Sequence, residues 1–230
     1  MERVSLIQGS VPVIIVAPHG FDQNDFNTAL IAEQIANRTK CFAIINRGFE
    51  RSNQVDCFLD KADCNDINHI HEDVVKEEFL DPIIRYKTRL LKYYDEVFIY
   101  HIHGMSDRHK TIVGDPSLGI VLGYGAGKPD SFTCQNWHKD FTLSYLNDNG
   151  ITSYQGSKGG PMSGWARSNL NQLFRKKYLD ERVNSMQLEI TYSLRNTDDV
   201  AKKTADVISS AVLKMGFYTS FTTNLTFKSY

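Results

Sequence analysis

The sequence carries no excess of charge, no membrane-length apolar run and few cysteines, and each shortage removes a class of function. Twenty-six Lys and Arg stand against 27 Asp and Glu, a formal net charge of -1. The broad electrostatic attraction that wraps nucleic acid or coats an anionic membrane is therefore missing, and neither partner is expected. The apolar run Val11 to Ala17 is far short of the roughly 20 residues that span a bilayer. The chain opens on Met1-Glu2 instead of the basic segment of a secretion signal. A cytoplasmic protein is the expectation.

Four cysteines, Cys41, Cys57, Cys64 and Cys134, are too few and too scattered for a disulfide framework and read as reduced thiols. Cys57 and Cys64 are spaced too widely for a zinc knuckle. The glycosylation sequons at Asn37 and Asn224 carry no weight without secretion. No repeat or low-complexity linker divides the 230 residues, so one domain over 1–230 is expected. Its aromatic, hydroxyl-rich tail at 217–230 is open to three readings: an edge strand, a docked arm, or a contact with a second copy of the chain.

What is present is an alternation of strand and helix patterns. Val11 to Ala17 is nearly continuous and β-branched, the signature of a strand buried on both faces. Asn24 or Asp25 can cap a helix to about Arg38, and Cys41 to Asn46 follows as a strand. The polar stretch 47–71 reads as a long loop of the kind that is functional or disordered. Asp81-Pro82 reads as a helix start, Val97 to Ile102 as a strand, and Leu118 to Gly123 as another. Ser131 can cap a helix with Cys134, Trp137, Phe141 and Tyr145 on one face. Met186 to Ile190 is a late strand, and a last helix runs from Thr197 to Met215 with Gly216 as its stop. The class is α/β.

In open α/β sheets ligands sit beyond the carboxyl ends of strands. Three such places carry unusual groups: Pro18-His19-Gly20-Phe21-Asp22, His101-Ile102-His103-Gly104, and Glu189 between Leu188 and Ile190. His19 and Asp22, three apart on a turn, can bring nitrogen and oxygen to one ion at about 2.0–2.2 Å. A distant histidine completes a three-ligand site that leaves a position for water. His103 is favoured as that ligand, because the glycine after it leaves room for approach. His101, on the same side of the strand, is open to three readings: ligand, outer partner of a ligand, or core histidine. A carboxylate between apolar neighbours is costly unless paired or functional, so Glu189 is the candidate general base. Arg47, Arg51, Arg167 and Arg195 are candidates for holding a substrate carboxylate, since a guanidinium offers it two parallel hydrogen bonds. The segment Gly123 to Pro129 imitates a phosphate loop but fails both nucleotide fingerprints, with Leu122 and Pro129 where Walker A needs Gly and Ser or Thr.

Taken in order, Ala17-Pro18-His19-Gly20 with Asp22, Asn46-Arg47, the downstream Asp66-Ile67-Asn68, His101-Ile102-His103-Gly104, Gln187-Leu188-Glu189-Ile190 and Leu194-Arg195 resemble the N-formylglutamate amidohydrolase family. That family is similar to the zinc carboxypeptidases and to aspartoacylase-like amidohydrolases. The resemblance runs from about Val13 to Arg195 and implies a three-layer α/β/α fold with a central mixed, largely parallel sheet. It implies one zinc ion held by His19, Asp22 and His103, with Glu189 as general base. It also implies amide hydrolysis in a small carboxylate-bearing substrate, with Asn68 among the substrate-binding groups and Asp66 behind them. This chain departs from the family in having His69 after Asn68, where arginine is usual, and His101 where aspartate is frequent. The expected activity is cleavage of an N-acyl amino acid. A carboxypeptidase acting on short peptides, and a domain on the same fold that binds a small acid without consuming it, are the competing expectations.

Overall fold

The computed structural model describes residues 2–21, 23, 25–49, 63–68, 73–127, 129–174 and 181–225. Seven strands form one sheet: β1 (Val4–Ile7), β2 (Val13–Ala17), β3 (Phe42–Asn46), β4 (Val97–Met105), β5 (Ile120–Gly123), β6 (Ser153–Gln155) and β7 (Val183–Thr191). Their spatial order is β1-β3-β2-β4-β7-β5-β6. The β3-β2, β2-β4, β4-β7 and β5-β6 pairs are parallel, while β1-β3 and β7-β5 are antiparallel. The sheet is thus mixed and largely parallel. Its central strands are β-branched and buried on both faces, as two covering helical layers require.

The helices are α1 (Thr28–Thr39), α2 (Asp73–Val75), α3 (Asp81–Leu90), α4 (Arg108–Val113), α5 (Asn136–Asp148) and α6 (Asp198–Leu225). One face of the sheet, with Val13, Ile15, Ala17, Phe98, Tyr100, Ile102, Met186, Leu188 and Ile190, packs against α1, α5 and α6. The other, with Ile14, Val16, Phe42, Ile44, Val97, Ile99 and Val183, packs against Phe79, Leu80, Ile83, Tyr86, Leu170 and Phe174. The result is three layers, α/β/α.

Several sequence expectations are corrected. The first helix begins at Thr28, after the left-handed Asn27 (φ 64°), so neither Asn24 nor Asp25 caps it. Asp81-Pro82 does not open a helix either. A π-helical turn, Lys76–Leu80, links α2 directly to α3, and Pro82 lies near the start of α3, where its missing N–H costs little. β4 extends to Met105 and so contains both His101 and His103. Ser131 bonds the Gly125 carbonyl (3.0 Å) instead of capping α5, and α5 buries His138, Lys139, Thr142 and Leu146 while Trp137 stays exposed. α6 passes through Gly216, which lacks the positive φ of a helix stop, and reaches Leu225. The first nine residues of the tail are therefore helical, and 226–230 lie outside the described residues. Cys41, Cys64 and Cys134 are buried thiols; Cys57 is outside the described residues. Among the described residues no helix is long and apolar enough to cross a membrane.

Candidate metal centre

Because side chains alternate along a strand, one face of β4 reads Val97, Ile99, His101, His103, Met105, and the same face of β7 reads Val183, Ser185, Gln187, Glu189, Thr191. Both change from apolar to polar toward the carboxyl end. The parallel register sets His101 beside Gln187 and His103 beside Glu189, and β2 ends alongside, with Val16 opposite His101. The Pro18-His19 turn that follows is pinned from β3, where Asn46 donates to the Pro18 and Phe49 carbonyls at 2.7 Å each. Gly20 suits this turn because a Cβ there would lie 2.7 Å from the Asn46 carbonyl oxygen.

Three groups converge at this edge. His19 Nδ1 and His103 Nδ1 lie 3.4 and 3.5 Å from Asp25 Oδ2, and the His19 and His103 ring centroids are 5.0 Å apart. His19, Asp25 and His103 are 4%, 3% and 3% exposed. Their ligand atoms all fall within 4.8 Å of one another, the one such histidine, cysteine and carboxylate cluster among the described residues. The donor set suits a metal: two imidazoles and one carboxylate, nearly dry, converging on one point. Two imidazole nitrogens facing one carboxylate at these lengths ask for a cation between them, proton or metal. Burial alone would lower the His19 pKa, but Asp25 and Asp63 override it and raise it to about 9. Burial would raise that of Asp25, yet His103 and His19 hold it well below the carboxylate range.

His19 has a second partner. Its Nε2 meets Asp63 Oδ1 at 2.8 Å, an outer carboxylate of the kind that fixes the tautomer and orientation of a metal-ligating imidazole. Asp63 Oδ1 also accepts from the Asn65 backbone N–H at 2.8 Å. Asp25 is held from the other side by Gly104, whose N–H donates to Oδ2 at 3.0 Å. A Cβ at Gly104 would run into the Arg195 guanidinium. Arg195 donates to the Phe26, Ile190 and Met105 carbonyls at 2.7, 3.1 and 3.3 Å, and Asn27 donates to the Arg195 carbonyl at 3.0 Å. The turn carrying Asp25 is thereby braced on Arg195.

Glu189 is partly buried in β7. Burial pushes its pKa up and Asp25 adds to this, while His103 and His19 oppose it. An open cleft of about 390 Å³ lies beside the cluster, lined by Gln23, Gly104, Ser106, Asp107, Tyr192 and Arg195.

The structure thus brings together the expected His19, His103 and Glu189. Asp22 and Arg51 lie outside the described residues. The carboxylate that faces both imidazoles is Asp25, three positions on, which the sequence reading had absorbed as a possible helix cap. Asp66 Oδ1 accepts from the Asn68 backbone N–H at 2.9 Å, and Asp66 forms a bridge with Asn169; the carboxylate behind His19 is Asp63, for which no motif gave a signal. His101 is fully buried against Ser185, at 3.0 Å. Arg47 pairs with Glu33 at 2.8 Å, Arg195 is turned inward at 1% exposed, and Arg167 and Asn68 are exposed.

No protein-family model and no curated protein sequence matches the chain. Solved structures do. N-formylglutamate amidohydrolase from Ralstonia eutropha JMP134 superposes with a TM-score of 0.62 at 13% identity, over 96% of this chain and 99% of that one. The chain has the fold of that amidohydrolase. A bacteriophage poly-gamma-glutamate hydrolase matches with a TM-score of 0.50 at 13% identity, over 92% of this chain and 88% of that one. A metallo-carboxypeptidase from Burkholderia cenocepacia matches with a TM-score of 0.50 at 8% identity, over 93% of this chain and 64% of that one. The resemblance carried by scattered short motifs is therefore matched at the level of the whole fold.

Proposed function

We propose that this chain is a zinc-dependent amidohydrolase that cleaves the amide bond of a small N-acyl amino acid resembling N-formylglutamate. The observation that carries the reading is the buried His19, Asp25 and His103 cluster at the carboxyl edge of the sheet, with Glu189 paired to His103 across β4 and β7. His19, Asp25 and His103 would hold one zinc ion per chain. When bound, zinc supplies Lewis acidity, which polarises an amide carbonyl and acidifies water.

The remaining work falls to the chain itself. Glu189, whose affinity for a proton is raised by burial, would take a proton from the attacking water as its oxygen bonds the carbonyl carbon. The same carboxyl would return that proton to the leaving nitrogen as the C–N bond breaks. Asp63 keeps His19 oriented, and Gly104 keeps Asp25 in place. Arg167 and Asn68, exposed on adjoining loops, and Arg51 are the groups proposed to meet the substrate carboxylate. Arg47 and Arg195 already hold Glu33 and the Asp25 turn.

The test is elemental analysis of tag-free wild type beside His19→Ala, followed by hydrolysis assays on N-formylglutamate and on a short peptide. Near one zinc per wild-type chain, lost in the variant, with turnover of the N-acyl amino acid, is expected. Turnover of the peptide alone would make the chain a carboxypeptidase. No metal in either protein after zinc is supplied would overturn the reading and leave a small-acid-binding domain.

A further inference from the structure

Gln187 is a buried amide, 1% exposed, and every polar atom of its side chain is engaged. Its Nε2 donates to Glu189 Oε1 at 2.8 Å and to the Met162 carbonyl at 3.3 Å. Its Oε1 accepts from Asn169 Nδ2 at 3.0 Å. An amide with an acceptor on one side and two donors on the other has one satisfied orientation, so the Asn169 contact dictates which end of Gln187 faces the carboxylate. The space around it is made by glycines. A Cβ at Gly123 would lie 2.6 Å from Gln187 Cγ, and one at the left-handed Gly164 (φ 66°) would lie 3.2 Å from Gln187 Oε1.

Asn169 is tied in turn to the loop that serves His19. Ile67 N–H donates to the Ser168 carbonyl at 2.7 Å and Leu170 N–H to the Asn65 carbonyl at 2.8 Å, around the antiparallel bridge between Asp66 and Asn169. One short pairing of loops therefore holds both Asp63, behind the imidazole, and Asn169, behind the base.

We propose that Asn169 and Gln187 form an amide relay that positions Glu189, binding one carboxylate oxygen so that the other faces the reacting water. Both are positioning residues, acting through Glu189. The inference rests on the general-base reading of Glu189 and goes beyond it. A strand glutamate otherwise rotates freely about its last torsion, and a base must be aimed before its proton affinity matters. Losing an outer partner of this kind costs about 10- to 100-fold.

The test uses Gln187→Met, close in shape but without donors, beside Asn169→Ala and Glu189→Gln, with zinc content checked for each. Crystal structures of wild type and Gln187→Met read the relay without any assay: the Glu189 carboxylate is expected to leave its wild-type rotamer. On N-formylglutamate, kcat is expected to fall about 10- to 100-fold in Gln187→Met with KM and zinc unchanged, and Asn169→Ala is expected to lower it in the same way. The proposal is overturned if Glu189 keeps its rotamer in Gln187→Met, or if the loss appears in KM or zinc content instead of kcat. Activity retained by Glu189→Gln would instead refute the general-base reading, and the crystal structures would still judge the relay.

Discussion

The two faces of β4 and β7 differ more than any other neighbouring surfaces in the molecule. On one, Phe98, Tyr100, Ile102, Met186, Leu188 and Ile190 pack into the core beneath α1, α5 and α6. On the other, the same two strands carry His101, His103, Ser185, Gln187 and Glu189. Because the pleat alternates, each chemical side chain is flanked in sequence by two core side chains. A slip of one residue would exchange the faces. The apolar face thus holds the register on which the polar face depends, and a costly row of buried polar groups persists because its strands are anchored from behind.

That division can be broken from either side. Glu189→Gln is expected to lower turnover by about 10²- to 10⁴-fold, the range for a positioned general base, while zinc content and urea midpoint stay near wild type. Its neighbour Leu188 points the other way and is fully buried. Leu188→Ala is expected to destabilise by about 2–5 kcal/mol, read by urea unfolding, with kcat little changed in the fraction that remains folded. If both variants lost activity and stability in parallel, the separation of the faces would be wrong.

A milder change sharpens the polar side. Asp63→Asn keeps size but removes the charge behind His19, and zinc affinity measured against a competing chelator is expected to fall about 10- to 100-fold. The unfolding midpoint of the metal-free protein tests the mildest contrast, between His101 and His19. Burial lowers the His101 pKa to about 3, below its unfolded value near 6.5. Its contribution is therefore present above about pH 6.5 and lost as pH falls from there toward 3. The pKa of His19 is raised to about 9, so its contribution is full below about pH 6.5 and lost as pH rises through 9. The metal-free protein is expected to be most stable near pH 6.5, with the acid limb flattened in His101→Gln and the alkaline limb in His19→Gln. Zinc is expected to reverse the alkaline limb, since ligation needs neutral imidazole.

The strands that carry the site were legible because their signals are local. Val13–Ala17 and the alternation around Glu189 are visible in any short window. What escaped has a partner far along the chain. β1 is only four residues long and exists because it pairs antiparallel with β3. The inward face of α5 is set by Tyr100, whose hydroxyl meets His138 Nε2 at 2.8 Å, and by the Tyr124 ring under Lys139, 5.3 Å away. Nothing nearby in sequence announces that a histidine and a lysine will be the buried residues there.

The same holds within the site. From the sequence alone came the α/β class, the two histidines at strand ends and the glutamate in β7, because strand periodicity and the position of a strand's end are properties of a few consecutive residues. Which carboxylate joins them was decided in three dimensions. Asp25 is chosen by Gly104 and Arg195, some 80 and 170 positions away in the chain by the separations of their hydrogen bonds, and Asp63 is set behind His19 from 44 positions away. Those contacts depend on the register of β2, β4 and β7. Register is a collective property of the packed sheet, which no local run of residues contains.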